Sequence, residues 1–219
     1  MRVVMLSSLS NILDHKALVK HQDNALVFEE SDETARLKKV NFSLTSFNKG
    51  QSGLIKNALV IFGDNKEEET LSRFTFFLNS QCKDVNRQCD YIVFHCKDGK
   101  TRVILCELKS SDTSPDLLSR IHKQFAFSKI FADYLVNIAK EHAERNSASL
   151  EDCEIEFHKV AFVYMPNVTA PLALGRPPVS SGSQPSINIS TANGIKSILI
   201  HTDSSGSANI PWRTFMESI

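Results

Sequence analysis

The chain has 219 residues, enough for one well-cored domain with insertions or a domain plus a small subdomain. Its 25 Lys and Arg balance 25 Asp and Glu, so it does not package nucleic acid by bulk charge, and any such contact must come from a local patch. A hydrophobic content of 42% is ordinary for a globular protein, and no apolar run approaches the ~20 residues that a membrane helix needs.

Residues 1–57 are read as an N-terminal extension that covers the core or mediates assembly. Met1 to Ser10 carries one basic residue and a short apolar run with no clear cleavage site, so no signal peptide is read. Asn11 caps an expected short helix over 12–19, and strands are expected over 25–30 and through Val40, Phe42 and Leu44. Glu29 and Glu30 stand at a strand end and are metal-ligand candidates, against the usual solvated role of acids at such places. Residues 48–53 form a loop whose Gly50 and Gly53 lack the Gly-Lys-Ser/Thr ending of a phosphate-binding loop. Five cysteines, Cys82, Cys89, Cys96, Cys106 and Cys153, make an odd number set in apolar patterns. That suits buried thiols in a reducing cytoplasm, and the seven-residue spacing of the first three lacks the close ligand pairs of zinc sites.

The second domain is expected over residues 58–219. Ala58 to Phe62 is a short apolar strand ending at Gly63. Asp64 then caps a helix with Glu67, Glu68 and Glu69 in its first turns and a core stripe of Leu71, Phe74, Phe77 and Leu78. A polar approach carrying Lys83 and Arg87 leads to two runs of β-branched and aromatic residues around Lys97-Asp98-Gly99-Lys100. Asp-Gly between such runs signals a two-residue type I′ hairpin, which fixes a register. Lys97 then pairs with Lys100, Phe94 with Val103, Ile92 with Leu105, and two steps further Asp90 comes opposite Glu107. Side chains alternate with period two, so Asp90, Ile92, Phe94, Val103, Leu105, Glu107 and Lys109 share one face. That face is apolar near the turn and ionic at its open end. Opposed Cβ atoms lie about 5 Å apart, and like charges there repel unless something positive lies between them. A divalent metal and the Lys109 ammonium meet that need.

An acidic residue opening one strand and Glu107-Leu108-Lys109 closing the next resembles the PD-(D/E)xK nuclease superfamily. The resemblance runs from about Asp64 to Pro166; Cys89 stands where the name has Pro. It implies an α/β, restriction-endonuclease-like core: a mixed central sheet flanked by helices in αβββαβ order, with the N-terminal extension and a C-terminal β-hairpin added. It implies Asp90, Glu107 and Lys109 as catalytic residues, with Asp90 and Glu107 as metal ligands for Mg2+ or Mn2+. A helix before the hairpin often supplies a further acid in that family, which makes Glu67 a third metal-ligand candidate, against its simpler role in the helix dipole.

Ser114 before Pro115 starts a long helix running to about Arg145, with Leu117, Ile121, Phe125, Ile130, Phe131, Leu135 and Ile138 as apolar positions. Gln124 interrupts that side. It resembles the glutamine of the helix after the catalytic hairpin, which helps arrange the site or contacts the nucleic-acid backbone, although Ser128 stands where the fuller motif has Tyr. A half-buried Gln bonded to a backbone carbonyl is the competing reading. Arg120, Lys123 and Lys129 add positive charge near that end and are nucleic-acid-binding candidates, or an ordinary solvated face. Glu154 to Met165 reads as a central parallel strand, residues 170–186 as a long Pro/Gly/Ser loop, and 186–190 with 195–201 as two strands joined at Asn193-Gly194. Ile210 to Phe215 is a final packing anchor.

The expected function is therefore metal-dependent phosphodiester hydrolysis of nucleic acid, more specifically an endonuclease on DNA, in a soluble cytoplasmic protein without membrane contact. By analogy alone it serves restriction or anti-phage defence. The alternative is a non-catalytic nucleic-acid-binding or assembly module working with a protein partner or as a homo-oligomer.

Overall fold

The computed structural model describes residues 2–21, 24–45, 55–63, 88–110, 115–145, 154–165 and 188–219. The helix expected from Asp64, with Glu67, and Lys83, Arg87, Cys82, Cys153 and the loops 48–53 and 170–186 lie outside those residues. The fold is α/β, with a mixed six-stranded sheet at its centre. In sheet order these strands are β3 (Ala58–Phe62), β4 (Tyr91–Lys97), β5 (Lys100–Lys109), β6 (Glu154–Tyr164), β8 (Ile195–Ile200) and β7 (Asn188–Ala192). β3, β4 and β5 are antiparallel neighbours, β5, β6 and β8 run parallel, and β7 returns antiparallel to β8. The long helix α2 (Pro115–Arg145) is the crossover that the parallel β5–β6 pairing requires.

The hairpin has the register its turn dictates: Lys97 opposite Lys100, Cys96 opposite Thr101, Phe94 opposite Val103 and Ile92 opposite Leu105. Asp98 (φ 54) and Gly99 (φ 82) both take the left-handed conformation of a type I′ turn, as do Asn193 (φ 52) and Gly194 (φ 73) between β7 and β8. β3 and β4 read as continuous apolar runs because both faces of the sheet are covered.

The two covers differ in kind. On one face, α1 (Arg2–Ile12) and α2 bury Met5, Leu9, Ile121, Phe125 and Val136 against Ile61, Ile92, Phe94 and Leu105. The other face is closed by a three-stranded sheet of β1 (Ala25–Glu29), β2 (Lys39–Ser43) and β9 (Ser207–Pro211), followed by α3 (Trp212–Glu217). Phe28, Phe42, Trp212 and Phe215 there pack on Val93 and Phe162, with Phe28 stacked on Tyr91 at 4.0 Å between centroids. The layers are thus helix, sheet and sheet, with α3 packed beside the second sheet on that face.

The helix expected over 12–19 lies earlier, at Arg2–Ile12, because Met5, Leu6 and Leu9 find the α2 face. A single 3-10 turn follows at His15–Ala17, capped by Asp14. Residues 1–57 contribute α1 to one cover and β1 and β2 to the other, so they are part of both cores. The expected C-terminal hairpin is the edge of the main sheet, joined to it through β6. Among the described residues no helix is long and apolar enough to cross a membrane.

Candidate active site

The β4–β5 ladder ends at Tyr91 and Cys106, one step short of the acidic pair. Beyond it, side-chain oxygens replace the missing backbone bonds. The Asp90 N–H donates to Glu107 Oε2 at 3.2 Å, and the Leu108 N–H donates to Asp90 Oδ2 at 2.7 Å. Each acid thereby holds the opposite strand. The Lys109 ammonium ion-pairs with Glu107 Oε1; its side chain is 17% exposed and that of Glu107 is 1% exposed. The structure thus brings Asp90, Glu107 and Lys109 together at one sheet end, on the face that α2 covers.

Burial sets the protonation of this pair. It pushes the Asp90 carboxyl well above its ordinary value, and the Glu107 charge adds to the rise; the Leu108 N–H and Lys109 pull the other way. Burial also raises Glu107, opposed first by Lys109 and then by hydrogen bonds from Gln124 and the Asp90 N–H. Two ionised carboxylates against one ammonium would leave one uncompensated negative charge out of water. Such a pair keeps a proton or takes up a cation.

The donor chemistry suits a hard divalent cation. Asp90 and Glu107 offer carboxylate oxygens, and among the described residues Asp90 Oδ1 accepts no hydrogen bond. No group of three His, Cys, Asp or Glu side chains converges among the described residues, where Asp90 and Glu107 are the paired acids that could hold a cation. That fits Mg2+ or Mn2+, which keep several waters and accept substrate oxygens. Among the described residues the three cysteines form no soft-metal group. Cys96 and Cys106 are buried on opposite faces of the sheet, and burial raises the Cys89 and Cys106 thiols.

Gln124 reaches the same place from α2. Its Nε2 donates to the Gln88 carbonyl at 3.3 Å, and the side chain lies close enough to Glu107 to counter the rise of that acid. Both sequence readings of Gln124, a site residue and a backbone-bound amide, describe one side chain. Arg120 lies one turn earlier on α2 and is exposed, as is Lys123. Lys129 pairs with Asp133 at 2.8 Å and lies over the Phe157 ring at 4.5 Å, so its charge is engaged at the helix–sheet contact. Glu67 lies outside the described residues.

Three further residues bear on the site, two of which, Ser128 and Gly63, were given no supporting role from sequence. Ser128, fully buried, accepts the Cys89 N–H at 2.7 Å. Gly63 donates its N–H to the Asp90 carbonyl at 2.9 Å, and a Cβ there would come within 2.0 Å of the Cys89 carbonyl oxygen. Glu30 lies close enough for its charge to add to the rise at Asp90. A serine four residues after Gln124 on a buried helix side was the one local signal for the first. The other two depend on which chain segments meet. No protein-family model, curated protein or solved structure matches the chain.

Proposed function

We propose that this chain is a metal-dependent nuclease that hydrolyses phosphodiester bonds, with a restriction-endonuclease-like PD-(D/E)xK core. The single observation that carries the reading is the buried Asp90–Glu107 pair with Lys109 as its neighbouring ammonium, at the open end of a hairpin. Apart from β1 and β2, which intervene after α1 and belong to the second sheet, the order α1, β3, β4, β5, α2, β6 agrees with the αβββαβ sequence of that core and supports the reading.

Asp90 and Glu107 would hold Mg2+ or Mn2+. Such an ion, when bound, polarises a phosphate oxygen and brings the pKa of water towards neutrality. The chain's own residues supply the rest. Lys109, fixed by its ion pair with Glu107, presents an ammonium where charge grows on the phosphate oxygens and where an attacking water is oriented. The apolar side chains of Ile92, Phe94 and Leu105 behind the acids keep the local dielectric low, so each charge acts more strongly than in water. Arg120 and Lys123, exposed on α2, would meet backbone phosphates. DNA as substrate, endonucleolytic action, a cytoplasmic place and a role in restriction or anti-phage defence belong to the same proposal.

One observation favours the second reading, a non-catalytic nucleic-acid-binding or assembly module acting with a protein partner or a second copy. Both acids already accept backbone N–H groups across the hairpin, which is a structural use of each. Cleavage of plasmid, linear duplex, single-stranded DNA and RNA with Mg2+, Mn2+ or EDTA decides between the two. Metal-dependent cutting that falls ~10²–10³-fold in folded Lys109→Ala supports the nuclease. Absence of both cutting and calorimetric metal binding in the wild type leaves the module.

A further inference from the structure

The Gln88 carbonyl and the Cys89 N–H are the two polar ends of a single peptide group, and both are taken by α2. Gln124 Nε2 donates to the carbonyl at 3.3 Å, and Ser128 Oγ accepts from the N–H at 2.7 Å. These two side chains are four residues apart, one above the other on one helix face. The peptide lies just before Asp90 and outside both ladders of β4, so among the described residues no strand pairs with it. Ser128 is itself oriented: its hydroxyl hydrogen goes to the Gln124 carbonyl at 2.8 Å, which turns an oxygen lone pair towards Cys89. Behind the same segment, the Cys89 carbonyl is pressed against Gly63, where there is no room for a Cβ.

We infer that Gln124 and Ser128 form a peptide clamp, and that Ser128 is the positioning residue that sets the distance of Asp90 from Glu107. The chain of contacts is short. Ser128 fixes the Cys89 N–H, the next residue is Asp90, and Asp90 Oδ2 must meet the Leu108 N–H at 2.7 Å while its own N–H meets Glu107 Oε2. Gln124 itself lies near Glu107, so the clamp sits on the helix beside both acids. Serine in place of the tyrosine expected at this position is then the residue the geometry needs, since a short hydroxyl reaches a peptide N–H packed directly against the helix. The inference rests on the nuclease reading for its consequence, and on geometry alone for the clamp.

The test compares wild type with Ser128→Ala and Ser128→Thr, the latter restoring a hydroxyl at the same place. The first readout is the Leu108 amide in proton NMR of the metal-free protein, which reports the bond to Asp90. The expected result is an upfield shift and faster exchange at Leu108 in Ser128→Ala, wild-type behaviour in Ser128→Thr, and unchanged Val93 and Ile104 amides in both. The second readout is calorimetric Mn2+ binding, expected to weaken about 10–100-fold in Ser128→Ala and to recover in Ser128→Thr, as for other groups that orient ligands. An unchanged Leu108 amide in folded Ser128→Ala overturns the clamp. Failure of the wild type to bind Mn2+ overturns the nuclease reading instead, while the amide readout still judges the clamp.

Discussion

Replacing Glu107 by Gln removes one buried charge and keeps nearly the same shape, so it isolates the electrostatics of the site. In the metal-free protein both acids of the Asp90–Glu107 pair titrate above their ordinary range, chiefly through burial. A carboxylate whose folded pKa is raised binds a proton that the unfolded chain has already lost. Stability then falls as pH rises from the ordinary carboxylate range through the raised value, by about 1.4 kcal/mol per pH unit for each proton retained. In Glu107→Gln, Asp90 faces Lys109 alone, the Glu107 charge no longer adds to the rise at Asp90, and that slope shrinks to what the burial of Asp90 sustains. Over three pH units the difference between wild type and variant should therefore change by up to about 4 kcal/mol for one retained proton, in favour of the variant at high pH. Urea unfolding followed by circular dichroism between pH 5 and 8.5, in EDTA, measures it. Saturating Mg2+ should flatten the wild-type slope and leave the variant unmoved. Parallel stability curves for the two proteins in EDTA would refute the reasoning, because the pair would then carry no proton of its own.

Two further outcomes follow from other parts of the fold. His95 is buried with its Nδ1 unpartnered, and burial together with the nearby Arg102 lowers its pKa to about 4, so the unfolded chain takes up its proton first. Stability should thus rise between about pH 4 and 6.5 and level off above, and His95→Phe should remove up to about 3 kcal/mol of that rise in an acid-limb unfolding series. Gly63→Ala forces a Cβ to within 2.0 Å of the Cys89 carbonyl oxygen. It should cost about 1–3 kcal/mol in denaturant unfolding and weaken Mn2+ binding through displacement of Asp90, whereas wild-type values for both would show that the β3 end yields freely.

The site was legible in sequence to the extent that one turn determines it. Asp98-Gly99 requires positive φ twice, the I′ turn sets the pairing, and period-two alternation puts Asp90, Glu107 and Lys109 on one face at one end. The long helix was equally local, read from Pro115 and the apolar spacing down to Arg145. The parallel placement of β6 followed from that helix as a crossover.

What tertiary structure alone decided involves partners far apart in the chain. Whether Met5 and Leu9 belong to a helix depended on the α2 surface that covers them, and the second sheet exists because β2 meets β9, more than 160 residues later. Backbone pairing at such separation leaves no local signature, since each strand carries only its own alternation. The same holds at the site. The sequence by itself placed two carboxylates and an ammonium together; their burial under α2, and the grip of Gln124 and Ser128 on the peptide before Asp90, came from packing. Burial is what turns three charged side chains into a pair of acids that must hold a proton or a cation, because only away from water does one uncompensated charge cost so much.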